Sequence, residues 1–353
     1  KRILTISAIA AGAGLILMGI GMGLGGRPGV AISSSGIHSS YQQQEPYFQE
    51  KMSLNTFSDL SLDIGAEADI QILPSDDDKY YVEYLLDGDY GKPVCKVEDD
   101  TFTLTQIAAG NRVIGIFAFN LGESESINPY VTLYVPEDSL LKQSSIHNTY
   151  GSIEVSGSKF ETISITADSG DIILNNVSAG DMKLNYEDGN LTTDALKADN
   201  FFVCSDYGSI ELKESILGCA EFELEDGDVS FDTVKGNSIK ITSEYGNVNL
   251  EETSCKTADF ILDYGNLDFD AVTLENLTCE MEDGNMNLSL PETLEKYQIA
   301  IDLDYGDLKL PEGNPKGHFR DEDGEISYRA DEGKTDKKID IRNEYGDVNI
   351  EYR

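Results

Sequence analysis

Apolar residues recur at fixed distances from a repeated glycine through the middle of this chain. Eight glycines stand 19 residues apart, at Gly151, Gly170, Gly189, Gly208, Gly227, Gly246, Gly265 and Gly284. After Gly170, for example, apolar residues follow two and four positions on (Ile172, Leu174), seven on (Val177), and twelve and fourteen on. Because the side chains of a strand alternate between its two faces, each pair predicts a short strand with one buried face.

Three short strands within 19 residues, separated by turns, describe one coil of a solenoid. We therefore expect an all-β fold, a single-chain parallel β-solenoid whose coils of about 19 residues stack about 4.8 Å apart. Left-handed β-helices follow a six-residue rule, which a repeat of 19 does not fit, so we expect a right-handed β-helix. Looser copies of the frame at Gly306, Gly324 and Gly346 extend the array, and residues 339–342 and 348–353 are predicted to be its end strands.

Composition divides the chain into four parts. Residues 1–26 predict an N-terminal membrane anchor, because the uncharged stretch 3–24 matches the roughly 30 Å hydrocarbon core of a bilayer. A cleaved secretion signal is the alternative, although its apolar region usually runs only about 7–15 residues. Residues 27–55 predict a flexible stalk, residues 56–140 an irregular β portion that caps the solenoid, and residues 141–353 the regular repeats.

The distribution of charge bears on location and partners. Lys1 and Arg2 precede the apolar stretch, which predicts a single-pass transmembrane helix with a cytoplasmic amino terminus and an extracellular C-terminal domain. The formal net charge of -39 excludes nucleic acid as a natural partner, because phosphate groups are repelled. It favours metal cations or cationic ligands, unless it serves only to keep a long β-rich protein soluble.

An acidic residue stands two positions before most of the glycines. In the regular array these residues are Asp168, Glu187, Asp206, Glu225, Glu244, Asp263 and Glu282. If the coils stack in register, they form a ladder in which neighbouring charges about 4.8 Å apart repel by roughly 1 kcal/mol in water. Bound calcium or magnesium would relieve this repulsion, and so would water, salt and splayed rotamers. A calcium-binding ladder and a solvated acidic face are therefore the two interpretations, and we consider no other cofactor.

A tyrosine directly precedes the glycine in many frames. The residues concerned include Tyr207, Tyr245, Tyr264, Tyr305 and Tyr345, while Asp188, Asp226 and Asp283 take the same place elsewhere. One interpretation is an exposed aromatic strip that stacks on sugars or peptides; the other is that each ring covers the bare backbone of the next glycine. Asparagines directly after glycine are expected to satisfy backbone groups of the turn, at Asn190, Asn247, Asn266 and Asn285.

The sequence contains little that is typical of a catalytic site, and we expect no enzymatic activity. His38, His147 and His318 lie far apart along the chain, which lacks a nucleophile elbow, an HExxH motif and a P-loop. The unbroken spacing also excludes the long inserted loops from which β-helix lyases and hydrolases build a cleft. The five cysteines include no CxxC pair, which argues against a disulfide framework or a thiolate metal cluster.

Three features occur together in this chain: a Gly-Gly-Arg-Pro-Gly-Val stretch at 25–30, a strand-rich start, and repeated units of an acid, Tyr or Asp, Gly, and Asp, Asn or Ser. They resemble a bacterial family labelled "putative adhesin", a domain of unknown function. Members are Gram-positive envelope proteins, so the resemblance implies a membrane-anchored, extracellular surface binding or scaffold module. An envelope-stress component acting through a membrane or envelope protein partner and a cell-wall carbohydrate-active enzyme are the alternatives.

Overall fold

The computed structural model describes residues 45–107, 127–312, 317–322, 324–330 and 335–353, together with Gly14 and three short strands between residues 29 and 118. Apart from Gly14, the apolar stretch predicted as the membrane anchor lies outside these residues. Within the described part of the chain, no helix is both long and apolar enough to span a bilayer.

The strands before the regular repeats form a small sheet and the start of a large one. The described ones are β1 (Gly29–Ser33), β2 (Gly36–His38), β3 (Tyr47–Ser53), β4 (Asp59–Glu67), β5 (Asp69–Pro74), β6 (Tyr81–Leu86), β7 (Val94–Glu98), β8 (Thr101–Gln106), β9 (Phe117–Ala118) and β10 (Tyr130–Val135). β1 pairs antiparallel with β2 and β9 in the small sheet. β3 falls within the segment predicted as a stalk, yet it pairs antiparallel with β6.

A longer and a shorter strand alternate through the regular array. They are β11 (Leu140–Tyr150), β12 (Ile153–Ser156), β13 (Lys159–Ser169), β14 (Ile172–Asn175), β15 (Ser178–Asp188), β16 (Leu191–Asp194), β17 (Lys197–Tyr207), β18 (Ile210–Lys213), β19 (Ile216–Asp226), β20 (Val229–Asp232), β21 (Lys235–Tyr245), β22 (Val248–Ser254), β23 (Thr257–Tyr264), β24 (Leu267–Thr273), β25 (Asn276–Asp283) and β26 (Met286–Leu290). From β11 to β24, each strand pairs in parallel with its equivalent in the next coil, 19 residues later, as Ile163 does with Met182 and Ile172 with Leu191. The prediction of stacked coils in register is confirmed.

Each coil of the regular array contains two strands, not the three that the apolar pattern predicts. The middle segment is a turn, in which Asn176 has a φ of 51° and Val177 is buried against the core. Backbone bonds to neighbouring coils continue through this turn, from Asn176 N to Asp194 O (2.8 Å) and from Ser178 N to Ser158 O (3.0 Å). One apolar side chain therefore suffices to cover the core there, without a separate strand.

The irregular N-terminal strands extend the same two stacks. β4 pairs in parallel with β8 on one side and with β11 on the other. β5 likewise lies between β10 and β12, again in parallel. Antiparallel strands close this end of each stack, because β7 pairs with β8, β6 with β10 and β3 with β6.

The strands after β26 do not stack in the order of the sequence. They are β27 (Gln298–Tyr305), β28 (Leu308–Lys309), β29 (His318–Glu322), β30 (Glu325–Ala330), β31 (Lys338–Tyr345) and β32 (Val348–Tyr352), with a 3-10 helix at Leu294–Lys296 between β26 and β27. β31 pairs in parallel with β25 on one side and with β27 on the other. β32 lies in the same way between β26 and β28, while β30 and β29 add antiparallel strands beyond β27.

The prediction that residues 339–342 and 348–353 are the end strands is therefore wrong. β31 and β32 form an internal coil, and β28 and β29 lie at the end of the two stacks. Gly324 is also not part of the glycine column, because it lies in the turn between β29 and β30, where a Cβ would be 3.8 Å from Asp304 O. The repeat pattern identifies residues that share a position in the coil, but it does not specify the order in which the coils stack.

The core lies between the two stacks and along the turns. The apolar residues two and four positions after the glycines are buried, for example Ile210 and Leu212, both 0% exposed. Aromatic rings interlock in this core. Phe201 and Phe222 of adjacent coils lie edge to face at 5.7 Å, and Phe260 and Phe269, in the two strands joined at Gly265, do so at 5.5 Å. Such edge-to-face pairs add stabilisation to the burial of their area.

Candidate functional site

The turn after each longer strand is built around a column of glycines. We call it the glycine corner and define it as each stacked glycine, the two residues before it and the residue after it. The glycines of the column have φ values between 115° at Gly151 and 154° at Gly284. A Cβ on Gly227 would lie 2.1 Å from the carbonyl oxygen of Gly208 in the adjacent coil. Both the backbone conformation and the neighbouring coil therefore exclude a side chain, which explains the strict recurrence of glycine.

The residue after the glycine carries a ladder of hydrogen bonds. Asp228 Oδ1 accepts from Asn247 N at 2.7 Å, and Asn247 Oδ1 accepts from Asn266 N at 3.1 Å. Asn266 Oδ1 accepts in turn from Asn285 N at 3.0 Å, and Asn190 Oδ1 accepts from a backbone N–H of the next coil at the same distance. The predicted role of these asparagines in satisfying turn backbone groups is confirmed.

The predicted acidic ladder occupies the second position before each glycine. The side chains of Asp168, Asp206 and Asp263 are partly buried, and the other members are exposed: Glu187, Glu225, Glu244 and Glu282. Among the described residues, no group of three or more His, Cys, Asp or Glu side chains has an arrangement that could hold a metal ion. Calcium binding by this ladder stays a prediction.

The tyrosines directly before the glycines form the most exposed aromatic feature of the corner, which we call the tyrosine column. Its members are Tyr150 (52% exposed), Tyr207 (57%), Tyr245 (51%), Tyr264 (47%), Tyr345 (53%) and Tyr305 (58%). The rings of Tyr245 and Tyr264 are stacked with centroids 5.1 Å apart, and those of Tyr345 and Tyr305 are stacked at 5.2 Å. About half of each side chain faces solvent, although the rings also pack on one another.

Aspartates interrupt the tyrosine column at defined levels. Asp226 pairs with Tyr207 on one side and with Tyr245 on the other. Asp283 pairs with Tyr264 and with Tyr345 in the same manner. In sequence order Tyr305 is the next tyrosine of the frame after Asp283. Insertion of β31 instead places Tyr345 beside Asp283. From the Gly170 coil to the Gly306 coil, the corner positions carry carboxylates and no Lys, Arg or His.

An open groove of about 580 Å³ lies at the N-terminal end of the glycine corner. Glu67, Asp69, Tyr90 and Tyr150 line it together with the backbone around Gly151. Burial raises the pKa of Tyr90 above its ordinary value of 10.0. The sequence did not reveal this groove, because its walls come from segments that meet only when the irregular strands pack on the first coils.

The three histidines belong to three different strands. His38 lies in β2, His318 in β29, and His147 in β11. The Nδ1 atom of His147 is 2.8 Å from Oδ1 of Asp63, and this contact joins β11 to β4. The pair could not be found from sequence, because nothing in the pattern sets the register between these two strands.

The chain is similar to known proteins in sequence and in structure. The family described as Toastrack DUF4097 matches it over residues 57–214 and again over residues 187–351. No curated protein matches it. These overlapping matches together span the irregular strands and the repeats.

Three solved structures are similar to the chain at low sequence identity. A "putative adhesin" from Bacteroides fragilis has 10% identity and a TM-score of 0.41, over 89% of this chain and 100% of that one. A "putative adhesin" from Parabacteroides distasonis has 15% identity and a TM-score of 0.44, over 86% and 97% of the two chains. A "putative lipid binding protein" from the same species has 15% identity and a TM-score of 0.38, over 70% and 90%.

Proposed function

The chain belongs to the Toastrack DUF4097 family, and we propose that it is a cell-envelope module that binds or scaffolds other envelope components without catalysing a reaction. Residues 3–24 anchor it in the membrane, with Lys1 and Arg2 in the cytoplasm and the β-solenoid outside the cell. The winding is right-handed, as the 19-residue repeat favours, and the envelope is of the Gram-positive type.

The observation that carries this proposal is the exposure of the tyrosine column. Its side chains are 47–58% exposed on a corner where stacked glycines and hydrogen-bonded asparagines join each coil to the next. Tyrosine rings are enriched at protein interfaces, because they bring a large contact area at a small cost in side-chain entropy. A regular row of such rings supports binding along the stacked coils and requires no catalytic cleft.

Crosslinking on intact cells tests the proposal. We expect the full chain to crosslink to envelope components, and a variant with Tyr245, Tyr264, Tyr345 and Tyr305 changed to Ser to lose most of these crosslinks. A matched control changes Leu140 and Ile216, which are 54% and 50% exposed away from the corner, to Ser. Equal crosslinking by both variants would contradict the proposal. Crosslinks confined to residues 1–55 in all variants would favour a sensing role through a membrane partner.

Membrane fractionation tests the location separately. We expect the full chain to sediment with membranes and its repeats to be cleaved by protease added to intact cells. Removal of residues 3–24 should release the protein from the membrane fraction. Protection of the repeats from external protease, with cleavage only after lysis, would contradict the extracellular placement.

A further inference from the structure

We infer that the tyrosine column docks an extended, lysine-rich segment of another protein, whose ammonium groups enter two slots at Asp283 and Asp226. This inference deepens the proposed binding function and rests on it. Each slot consists of one exposed aspartate with a tyrosine ring in the coil on either side. We call the first slot, made of Tyr264, Asp283 and Tyr345, the Asp283 slot.

The stacking geometry opens the Asp283 slot toward a cation. One face of the Tyr264 ring stacks on Tyr245, and one face of the Tyr345 ring stacks on Tyr305. In both pairs the ring planes are 6° apart. The remaining faces of Tyr264 and Tyr345 are therefore turned toward the coil of Asp283. Two coil steps of about 4.8 Å place these faces about 9.6 Å apart. An ammonium group between them is within about 6 Å of both rings, the range of a cation–π interaction.

Charge identifies the occupant as cationic. The Asp283 side chain is exposed, and the position before it carries a carboxylate in its own coil and in the coil on either side: Glu282, Asp263 and Glu344. Arg342 lines a pocket beside this slot together with Asp263, Glu282 and Glu344, but its Nη1 atom lies 3.5 Å from Oε1 of Glu280, outside the corner. A lysine entering the slot therefore meets carboxylate and aromatic faces and no resident cation within the corner.

The spacing of the two slots indicates an extended peptide. Asp226 and Asp283 are three coils apart, which corresponds to about 14.4 Å at about 4.8 Å for each coil. In an extended chain, residues i and i+4 point to the same side and lie about 13.6 Å apart. Lysines at i and i+4 therefore fit both slots, whereas lysines at i and i+2 span only about half that distance.

Fluorescence anisotropy on the full chain in detergent micelles tests this inference. The probe is a labelled peptide with lysines at i and i+4, and the competitor has them at i and i+2. We expect Asp283→Asn, Tyr264→Leu and Tyr345→Leu each to weaken probe binding about two- to fivefold, the effect of losing one exposed cation–π or ion-pair contact. Added salt should weaken it further.

Matched variants give the control. Ile216→Ser, exposed at the start of β19 away from the corner, and Asp194→Asn, exposed in β16 away from the corner, should leave probe affinity within about twofold, as expected for residues that do not touch the probe. Unchanged melting temperatures show that all variants fold. Equal affinity for both peptide spacings, or wild-type affinity of Asp283→Asn, overturns the inference.

Two further measurements distinguish the peptide from other cations that could occupy the slots. If spermidine binds more tightly than the probe and shows the same dependence on Asp283 and the tyrosines, the occupant is a polyamine and the peptide inference is wrong. If calcium displaces the probe and the tyrosine variants have no effect, the charge of the acidic ladder alone accounts for binding, and the inference is again wrong. If the peptide measurements contradict this inference but the tyrosine-dependent crosslinking to envelope components is still seen, the proposed function holds.

Discussion

Gly284 and Gly346 are in direct backbone contact, since a Cβ on Gly346 would lie 2.0 Å from the carbonyl oxygen of Gly284. Between these two residues the chain builds β27 and β28 one level further out, and covers β27 with the antiparallel β30 and β29. β31 and β32 then fill the level left open. Their apolar residues Ile339, Ile341, Val348 and Ile350 are at most 1% exposed.

This internal coil predicts complementation in trans. A chain that ends at residue 334 keeps an unfilled level between β25 and β27, and we expect it to lose cooperative unfolding and to aggregate through the open edges. A synthetic peptide of residues 335–353 should restore a single thermal transition, because it supplies both missing strands. Circular dichroism melts with increasing peptide measure this.

The control peptide carries Ile341→Asp and Ile350→Asp, which would bury two charges in the core. It should not restore the transition. A shortened chain that melts as the full chain does without any peptide would show that the coil contributes little to the fold.

Substitution within the glycine column should be severely destabilising. Gly227 has a φ of 147°, and a Cβ there would clash with the preceding coil. We expect Gly227→Ala to lower the free energy of unfolding by at least about 3 kcal/mol. Gly157→Asn is the control, because its φ of 60° suits asparagine and its Cβ would meet only the Pro74 side chain at 3.6 Å. Equal losses of unfolding free energy for Gly227→Ala and Gly157→Asn in urea melts would contradict this account.

A second column of left-handed residues offers a route to stabilisation. Asn176, Ala195, Glu214, Thr233 and Glu252 have φ values between 45° and 59°. Thr233 is β-branched, for which this conformation is especially unfavourable. Thr233→Gly should therefore raise the free energy of unfolding by about 1 kcal/mol. Thr242→Gly within β21 should instead lower it by about 0.5–1 kcal/mol. Destabilisation by both changes would show that strain at Thr233 is absent.

The contact between β27 and β30 should be sensitive to acid. Arg329 Nη2 donates to both carboxylate oxygens of Asp302, at 2.8 and 2.6 Å, and this holds the pKa of Asp302 below its ordinary value of 3.8. A depressed folded pKa contributes stability that is present above the unfolded pKa and is lost as pH falls through the folded one.

Wild type should thus exceed Asp302→Asn in stability above about pH 4, and the difference should vanish at lower pH. The difference should be small, about 0.5 kcal/mol, because both side chains are partly exposed. Chemical melts across this pH range measure it. A difference that grows on acidification would contradict the assignment.

Thiol labelling should separate the cysteines by burial. Cys219 is exposed, whereas Cys255 and Cys279 are buried, and burial raises the pKa of Cys255 to about 12. Its thiolate fraction is then about a thousandfold below that of a thiol with the ordinary pKa of 9.0. We expect a thiol reagent to label Cys219 rapidly and Cys255 and Cys279 only in denaturant. Mass spectrometry of Cys219→Ser before and after denaturation checks the assignment.

The repeat units were predictable from the sequence because each position in the coil has one dominant physical constraint. The adjacent coil leaves no room for a side chain at Gly227, and the Asn247 side chain accepts a hydrogen bond from the turn of the next coil. Constraints of this kind repeat with every coil and are therefore visible as a period. The positions of the tyrosines were predictable in the same way, since they occupy one position of the same frame, but the sequence left open whether their rings face solvent or cover the next glycine.

The order of the coils was not predictable, because Gly284, Gly306 and Gly346 have nearly the same frame. Any of the three could stack on another without changing which side chains face inward. The difference arises from the connection through the 3-10 helix and from the antiparallel β30, neither of which repeats. The groove beside Tyr90 and the contact of His147 with Asp63 also depend on single, non-repeated pairings.

The inserted coil has a consequence for biosynthesis. Residues 338–352 leave the ribosome after β27, β30 and β29, so the outer end of the rod exists before the level beneath it is complete. A nascent chain that folds during synthesis therefore has a gap between β25 and β27 until this late segment arrives. Premature termination of translation after residue 330 would leave an unfilled interior as well as a shorter rod.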